Sequence, residues 1–177
     1  VREAYRRARE EGRTGTTTSH AFETALRIAK RMRSEIPLAP VNTSLFSLAL
    51  PELRARLRKG DRVGILGAGE MATVAARSVL ALDGIDLLVV NRSAERAHAL
   101  AGKLGGRSMT LARFLATPPP LQALVAATPV ADLVSASLQA RMPALKVVVD
   151  LGIPRNVERC GRPGLLHLGI DELRAAG

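Results

Sequence analysis

The run Arg62-Val63-Gly64-Ile65-Leu66-Gly67-Ala68-Gly69-Glu70-Met71-Ala72 constrains this chain more than any other, because a short apolar stretch ends in glycines and passes straight into a helical pattern. It predicts a strand, a tight turn and a helix over Met71 to Leu82. Gly67 can adopt the backbone angles of the turn, and Gly69 puts no side chain between the backbone and a pyrophosphate. Ala72 is the third small residue, where helix packs on strand. The free N–H groups of the helix's first turn, with about half a positive charge from its dipole, then face the phosphates. A second strand, Leu87 to Val90, ends about 20 residues beyond the turn, the spacing of a dinucleotide-binding unit. The alternative is a glycine turn that only packs a helix on a sheet.

Strand–helix alternation continues through the rest of the chain. Asn91-Arg92-Ser93 leads into a helix over Ala94 to Leu104, and Gly105-Gly106 into a short strand at Arg107 to Met109. Thr117-Pro118-Pro119-Pro120 reads as a stiff connector. Leu124-Val125-Ala126, Val147-Val148-Val149 and Leu165 to Leu168 read as buried strands, since continuous apolar runs suit a parallel sheet covered on both faces. The fold class expected is α/β, a doubly wound, mostly parallel Rossmann-type sheet preceded by a helical lead-in.

In that lead-in, Val1, Ala4, Tyr5 and Ala8 recur at helical spacing opposite Arg2, Arg6, Arg7 and Arg9. Gly12 to Gly15 ends this helix. A second begins near Ser19 with Phe22, Ala25, Leu26, Ala29 and Met32 on its inward face. Ile36-Pro37-Leu38-Ala39-Pro40 breaks the pattern and predicts a linker, so residues 1–41 are expected as a helical segment and 42–177 as the nucleotide-binding domain. A third helix is expected from Asn42 or Ser44, with Leu45, Leu48, Leu53 and Leu57 on one side. Pro51 should kink it or divide it into two abutting helices.

The end of the second strand selects the cofactor, because the adenosine ribose lies there. A carboxylate would accept from a 2′-hydroxyl and repel a 2′-phosphate, whereas this sequence offers neutral Asn91 followed by Arg92 and Ser93, which points to NADP(H). Arg92 can bond the 2′-phosphate, Ser93 can add a hydroxyl while capping the next helix, and Arg96 is a second cation one turn on. The alternative is an ordinary capped helix start with a solvated arginine. Nicotinamide is expected near Ala127-Thr128-Pro129 and Asp150-Leu151-Gly152-Ile153-Pro154, at the carboxyl edge of the sheet. Asp150 either orients loop amides there or acts as a structural cap.

At 177 residues the chain has room for one good core plus an appendage. No apolar run approaches the roughly 20 residues of a membrane helix, and a cytoplasmic protein is expected. A single cysteine, Cys160, excludes an internal disulfide. Residues 1–62 hold 14 Lys/Arg against 7 Asp/Glu, yet aromatic residues at 2% leave no stacking platform for single-stranded nucleic acid. Arginine enrichment beside so much Ala, Leu and Gly reads better as compositional bias. His20, His98 and His167 are scattered in sequence, so neither a metal site nor a Cys–His pair is expected.

Taken together, these motifs resemble the glutamyl-tRNA reductases. Val1-Arg2-Glu3-Ala4-Tyr5 looks like the helix after that family's substrate-binding segment, and Phe22 to Arg33 like its basic helix. Gly67-Ala68-Gly69-Glu70-Met71 matches its "GAGEM" turn, and Asn91-Arg92-Ser93 the "NR[ST]" that follows. Asp150-Leu151-Gly152-Ile153-Pro154-Arg155-Asn156-Val157 is similar to "DLAVPRD[IV]", and Gly169-Ile170-Asp171-Glu172-Leu173 to "DIDDL". Ala72 stands in place of the family's usual glycine, and Thr128-Pro129 looks more like the "ATP" of shikimate dehydrogenases. The resemblance implies NADPH as cofactor, bound by Gly67, Ala68, Gly69, Glu70, Met71, Ala72, Asn91, Arg92, Ser93, Arg96, Ala127, Thr128, Gly152 and Pro154. It implies reduction of glutamyl-tRNA to glutamate-1-semialdehyde for tetrapyrrole synthesis, through a cysteine thioester. That cysteine belongs to a domain before Val1, so no catalytic residue is expected in this chain. The chain is then expected to be a piece of a longer protein that dimerises through a helix after Gly177. Two other readings stay open: a shikimate- or quinate-dehydrogenase-like reductase, and a stand-alone NADP-binding or tRNA-binding module.

Overall fold

The computed structural model describes residues 2–35 and 45–175, and the chain divides into two compact units, Val1–Asn42 and Thr43–Gly177. In the first unit, α1 (Arg2–Glu10) and α2 (Thr16–Glu35) are joined by a turn in which Gly12 takes φ +65°. Tyr5 is the buried residue of this pair among the described residues. Its ring stacks on Phe22 with centroids 5.1 Å apart, and its hydroxyl lies 3.3 Å from both the Ser19 carbonyl and the Glu23 carboxylate. α2 starts three residues before the expected Ser19, because the Ser19 N–H closes a helical turn on the Gly15 carbonyl at 2.9 Å and draws in Thr16 to Thr18. The stripe expected to face inward is largely open among the described residues: Phe22 is 38% exposed and Ala25 is exposed too. The side chains of Ala29 and Met32, the linker Ile36 to Pro40 and the helix start at Asn42 or Ser44 lie outside the described residues.

The second unit opens with a 3₁₀ turn, Leu45–Ala49, that abuts α3 (Leu50–Arg56). Pro51 falls in the first turn of α3, where an absent N–H costs nothing, so the residue divides two helices rather than kinking one. Phe46, Ala49, Leu53 and Leu57 are buried, whereas Leu45 and Leu48 are only half-buried, because the 3₁₀ turn rotates the apolar face away from α-helical phase.

There follow β1 (Arg62–Leu66), α4 (Glu70–Leu80), β2 (Asp86–Asn91), α5 (Ala94–Leu104), β3 (Arg107–Thr110), α6 (Leu111–Ala116), β4 (Ala123–Ala126), α7 (Ala136–Ala140), β5 (Val147–Asp150), β6 (Leu166–Leu168) and α8 (Ile170–Ala175). The six strands form one sheet in the order β3-β2-β1-β4-β5-β6, and every neighbouring pair is parallel. This is the doubly wound order, and it reverses direction between β1 and β4. Alternate strand residues feed two separate cores. Val63, Ile65, Val89, Val125 and Val149 pack with Phe46, Leu53 and the buried faces of α4, α5 and α8. Leu66, Leu88, Val90, Leu124 and Val148 pack on the other face with Phe114, Leu138 and Met142.

α5 occupies the expected residues because both its ends are marked: the Ser93 hydroxyl accepts from the Arg96 N–H at 3.2 Å, and Gly105 closes the helix at φ +67°. At the amino ends of the strands, Asp86 bonds Arg62 at 2.6 Å and pairs with Arg107 as well, tying β1, β2 and β3 in register. Burial by itself would raise the Asp86 carboxyl, but hydrogen bonds and charge from the two arginines outweigh it and hold the group below the usual aspartate value.

Candidate functional site

A cleft of about 540 Å³ opens where the strand order reverses, at the carboxyl ends of β1, β2 and β4. Its lining includes Gly67 after β1, Asn91, Arg92, Ser93 and Arg96 after β2, and Thr128 after β4. These six of the predicted site residues are therefore brought together by the sheet topology.

The two glycines of the turn have different reasons to be glycine. Gly67 has φ +115°, and a Cβ there would stand 2.5 Å from the Ala127 carbonyl oxygen, so both the backbone angle and the close approach of the β4 loop exclude a side chain. Gly69 caps α4 at φ −86°, and a Cβ built on it meets nothing within 4 Å. Its missing side chain leaves space rather than relieving a protein contact. No side chain caps α4, so its first-turn N–H groups point into that space with the positive end of the helix dipole behind them.

On the β2 side, Asn91 Nδ2 donates to the Ser93 carbonyl at 3.3 Å, and the Ser93 hydroxyl is engaged in capping α5. Arg92 and Arg96 are exposed, and among the described residues neither guanidinium has a hydrogen-bond or ion-pair partner in the protein. The neutral Asn91 and two free cations make this wall receptive to a phosphate ester. Glu95, which the sequence reading did not single out, also lines the cleft.

The other predicted residues fall elsewhere. Glu70 and Met71 stand exposed on the first turn of α4, and Ala68 lines an adjoining groove between α4 and α5. Ala72 is fully buried in the core beneath α4, where the third small residue was expected to let helix pack on strand. Ala127 is half-buried and contributes its carbonyl to the tight approach with Gly67. Gly152 and Pro154 do not line the cleft; they border a separate hollow of about 270 Å³ with Ile153 and Arg155. Gly152 is small because an added Cβ would overlap the side-chain amide of Asn156. Asp150 does orient loop amides: its carboxylate accepts from the Gly152 N–H at 2.9 Å and from the Asn156 and Val157 N–H groups at 2.8 Å each. Leu111, Val130 and Leu133 complete the apolar wall of the cleft and were missed, since Leu111 opens the six-residue α6 and the other two arrive on a loop with no pattern of its own.

One further expectation is corrected. Cys160 and His167, scattered in sequence, meet in space with Sγ 3.8 Å from Nε2, because the chain turns back at Gly161 and Gly164 to form β6. The thiol also lies 3.4 Å from the Gln139 side-chain oxygen, to which it donates. Burial, then the charges of Arg159 and Arg162, hold His167 below the usual histidine value. Among the described residues no group of three or more His, Cys, Asp and Glu could hold a metal, and no helix is long and apolar enough to cross a membrane.

Known proteins share this arrangement. The family model for shikimate/quinate 5-dehydrogenase matches residues 49–176. A glutamyl-tRNA reductase of Deinococcus radiodurans is 34% identical over 99% of this chain and 53% of its own length, and one of Rubrobacter xylanophilus is 32% identical over 99% and 43%. The solved glutamyl-tRNA reductase from Methanopyrus kandleri aligns at TM-score 0.62 and 25% identity, covering 99% of this chain and 47% of its own. The chain thus spans about half the length, or less, of the relatives it matches. With the parallel sheet, the glycine turn and most of its residues covered by the family model, the chain belongs to the shikimate/quinate 5-dehydrogenase family, and within near-complete alignments it resembles the glutamyl-tRNA reductases.

Proposed function

We propose that this chain is the NADPH-binding part of a glutamyl-tRNA reductase, acting in the reduction of glutamyl-tRNA to glutamate-1-semialdehyde in tetrapyrrole synthesis. The observation that carries the reading is the extent of the likeness, which reaches 99% of the chain and so includes α1 and α2 as well as the sheet. A bare nucleotide-binding domain would account for the second unit alone. In this reading residues 1–41 end a catalytic domain and 42–177 form the cofactor domain. The cleft's chemistry fits the cofactor. The open space at Gly69 and the uncapped start of α4 would take the pyrophosphate, and Arg92 and Arg96 the 2′-phosphate. Thr128 and the β5 loop would border the nicotinamide, the hydride donor. The protein's contribution is then to hold that ring at the edge of the sheet while a thioester, formed on a cysteine outside these 177 residues, is presented to it. Glutamyl-tRNA, a homodimeric parent and a cytoplasmic setting belong to the same proposal.

Titration with NADPH and NADH side by side tests the cofactor, with NADPH expected to bind more tightly. Mixing the chain with glutamyl-tRNA and NADPH should yield no semialdehyde, whereas the parent protein should produce it. Turnover by the isolated chain that vanishes in Cys160→Ser would move the chemistry to Cys160 and overturn the reading. Ala127-Thr128-Pro129 and the family-model match favour one second reading, a shikimate- or quinate-type dehydrogenase. Oxidation of shikimate or quinate by this chain with NADP⁺ would establish it.

A further inference from the structure

Asn156 is fully buried, lines neither the cleft nor the neighbouring hollow, and yet uses every polar atom it has. Its Oδ1 accepts from the Thr128 N–H at 2.9 Å. Its Nδ2 lies 3.0 Å from the Thr128 carbonyl, 2.7 Å from the Val130 carbonyl and 3.2 Å from the Pro154 carbonyl. Its own N–H donates to Asp150, and its carbonyl accepts from the Val134 N–H at 2.9 Å. One side chain therefore fixes the backbone of the loop after β4 to that of the loop after β5. Thr128 and Val130, the residues it grips, stand in the wall of the cleft.

We propose that Asn156 is a positioning residue for the nicotinamide end of the cofactor, acting through Thr128, Pro129 and Val130 without touching the cofactor itself. The inference rests on the NADPH reading of the cleft. The β4 loop carries no regular structure between Ala126 and the Val134–Val157 bridge; the Ala127 N–H bonds the Leu66 carbonyl and the Asp132 N–H the Arg155 carbonyl, each at 2.9 Å, and between those two points the backbone from Thr128 to Val130 is held by the Asn156 amide and by the turn that the Thr128 hydroxyl closes on the Val130 N–H. This set of bonds uses a short side chain that both accepts and donates. A carboxylate would set negative charge against three carbonyl oxygens, and an aliphatic side chain would take this partner from the Thr128 N–H and from the carbonyls of Thr128, Val130 and Pro154. Asp150 backs the arrangement by bonding the Asn156 N–H, and Gly152 permits it by leaving room for the amide. The adenosine end makes no bond to the Asn156 amide: Asn91 Nδ2 bonds the Ser93 carbonyl, the Ser93 hydroxyl caps α5, and the Gly67 N–H bonds the Val90 carbonyl at 2.8 Å.

The test compares NADPH with adenosine 2′,5′-bisphosphate, which carries the adenosine end of the cofactor but no nicotinamide, on the full 177-residue chain and on Asn156→Ala. If the released loops occupy the binding arrangement about one-tenth of the time, NADPH weakens about tenfold while the bisphosphate stays within about twofold. Gly152→Ala, which displaces the amide without removing it, should shift the two ligands in the same unequal way. Equal loss of both ligands in Asn156→Ala would mean a general structural role, and unchanged NADPH affinity would mean no role. Either result overturns the proposal while leaving the cofactor reading intact. Failure of the unmutated chain to bind either ligand overturns the cofactor reading and this inference together. A measurement on the unmutated chain needs no variant to fold: amide hydrogen exchange at Thr128 should be strongly protected before cofactor is added. Exchange at the rate of an open loop would refute the latch.

Discussion

The two walls of the cleft are held in different ways. On the β1–β2 side, the bonds that place Asn91 and Ser93 span two and three residues, and Arg92 and Arg96, which face the cleft, are exposed cations with no partner for their guanidinium groups among the described residues. On the β4–β5 side, Thr128 is held by a residue 28 positions away, through a fully buried amide that itself depends on the Asp150 carboxylate. The first wall spends none of its charge on the protein, so its substitutions should change affinity and leave stability alone. The second is arranged before any ligand arrives, by bonds that also hold the domain together, so its substitutions should change both.

The largest effect is expected at Gly67, where the turn after β1 comes up against the β4 loop. Gly67→Ala would place a Cβ at φ +115° and 2.5 Å from the Ala127 carbonyl, so the turn or the β4 loop must move. Dinucleotide binding should be lost, and chemical denaturation should show a stability loss of about 1–3 kcal/mol. Unchanged stability would show that the two walls are not mechanically joined there. Next comes Gly69→Val, whose side chain enters open space. The thermal midpoint should stay within a few degrees, while NADPH affinity measured by fluorescence falls at least about a hundredfold, because the backbone can no longer approach the pyrophosphate. Retained affinity would reduce this glycine to a turn residue.

Arg92→Ala should weaken NADPH by about tenfold and leave NADH unchanged, since a charged hydrogen bond is worth about 1.5–3 kcal/mol. Equal weakening of both cofactors would transfer the arginine's role from the 2′-phosphate to the adenine. The smallest effect is a pH dependence on the β5–β6 flank. Burial and the charges of Arg159 and Arg162 put the folded-state value of His167 below its ordinary 6.5. The folded protein therefore binds fewer protons than the unfolded chain in that window. The stability linked to the neutral ring is complete above pH 6.5 and is lost as the pH falls below it, towards the folded value. Melting curves taken between pH 7.5 and 5.5 should thus decline less steeply in His167→Gln, and an unaltered slope would remove His167 as the cause.

What the amino-acid order determined by itself was whatever short-range chemistry controls. The turn from β1 into α4 follows from Gly67 and Gly69, the limits of α5 from Ser93 and Gly105, and the parallel sheet from continuous runs such as Val147-Val148-Val149, all within windows of a few residues. The three shortest α-helices, α6, α7 and α8, were not legible, since five or six residues cannot display a helical period, although Thr110 and Ser135 do cap the first two of them. Tertiary structure alone decided which loops face one another. The parallel order sets β4 beside β1 and β5 beside β4, which brings Thr128 to Asn156, and the turn back at Gly161 and Gly164 into β6 brings Cys160 to His167. Gly152 illustrates the difference. In sequence it reads as a residue beside the nicotinamide, but in the fold its missing Cβ makes room for the buried amide that ties two loops together. Such a contact has no periodicity or local spacing to announce it, because the free energy that favours it is gained only after the sheet has closed both ends of the loop.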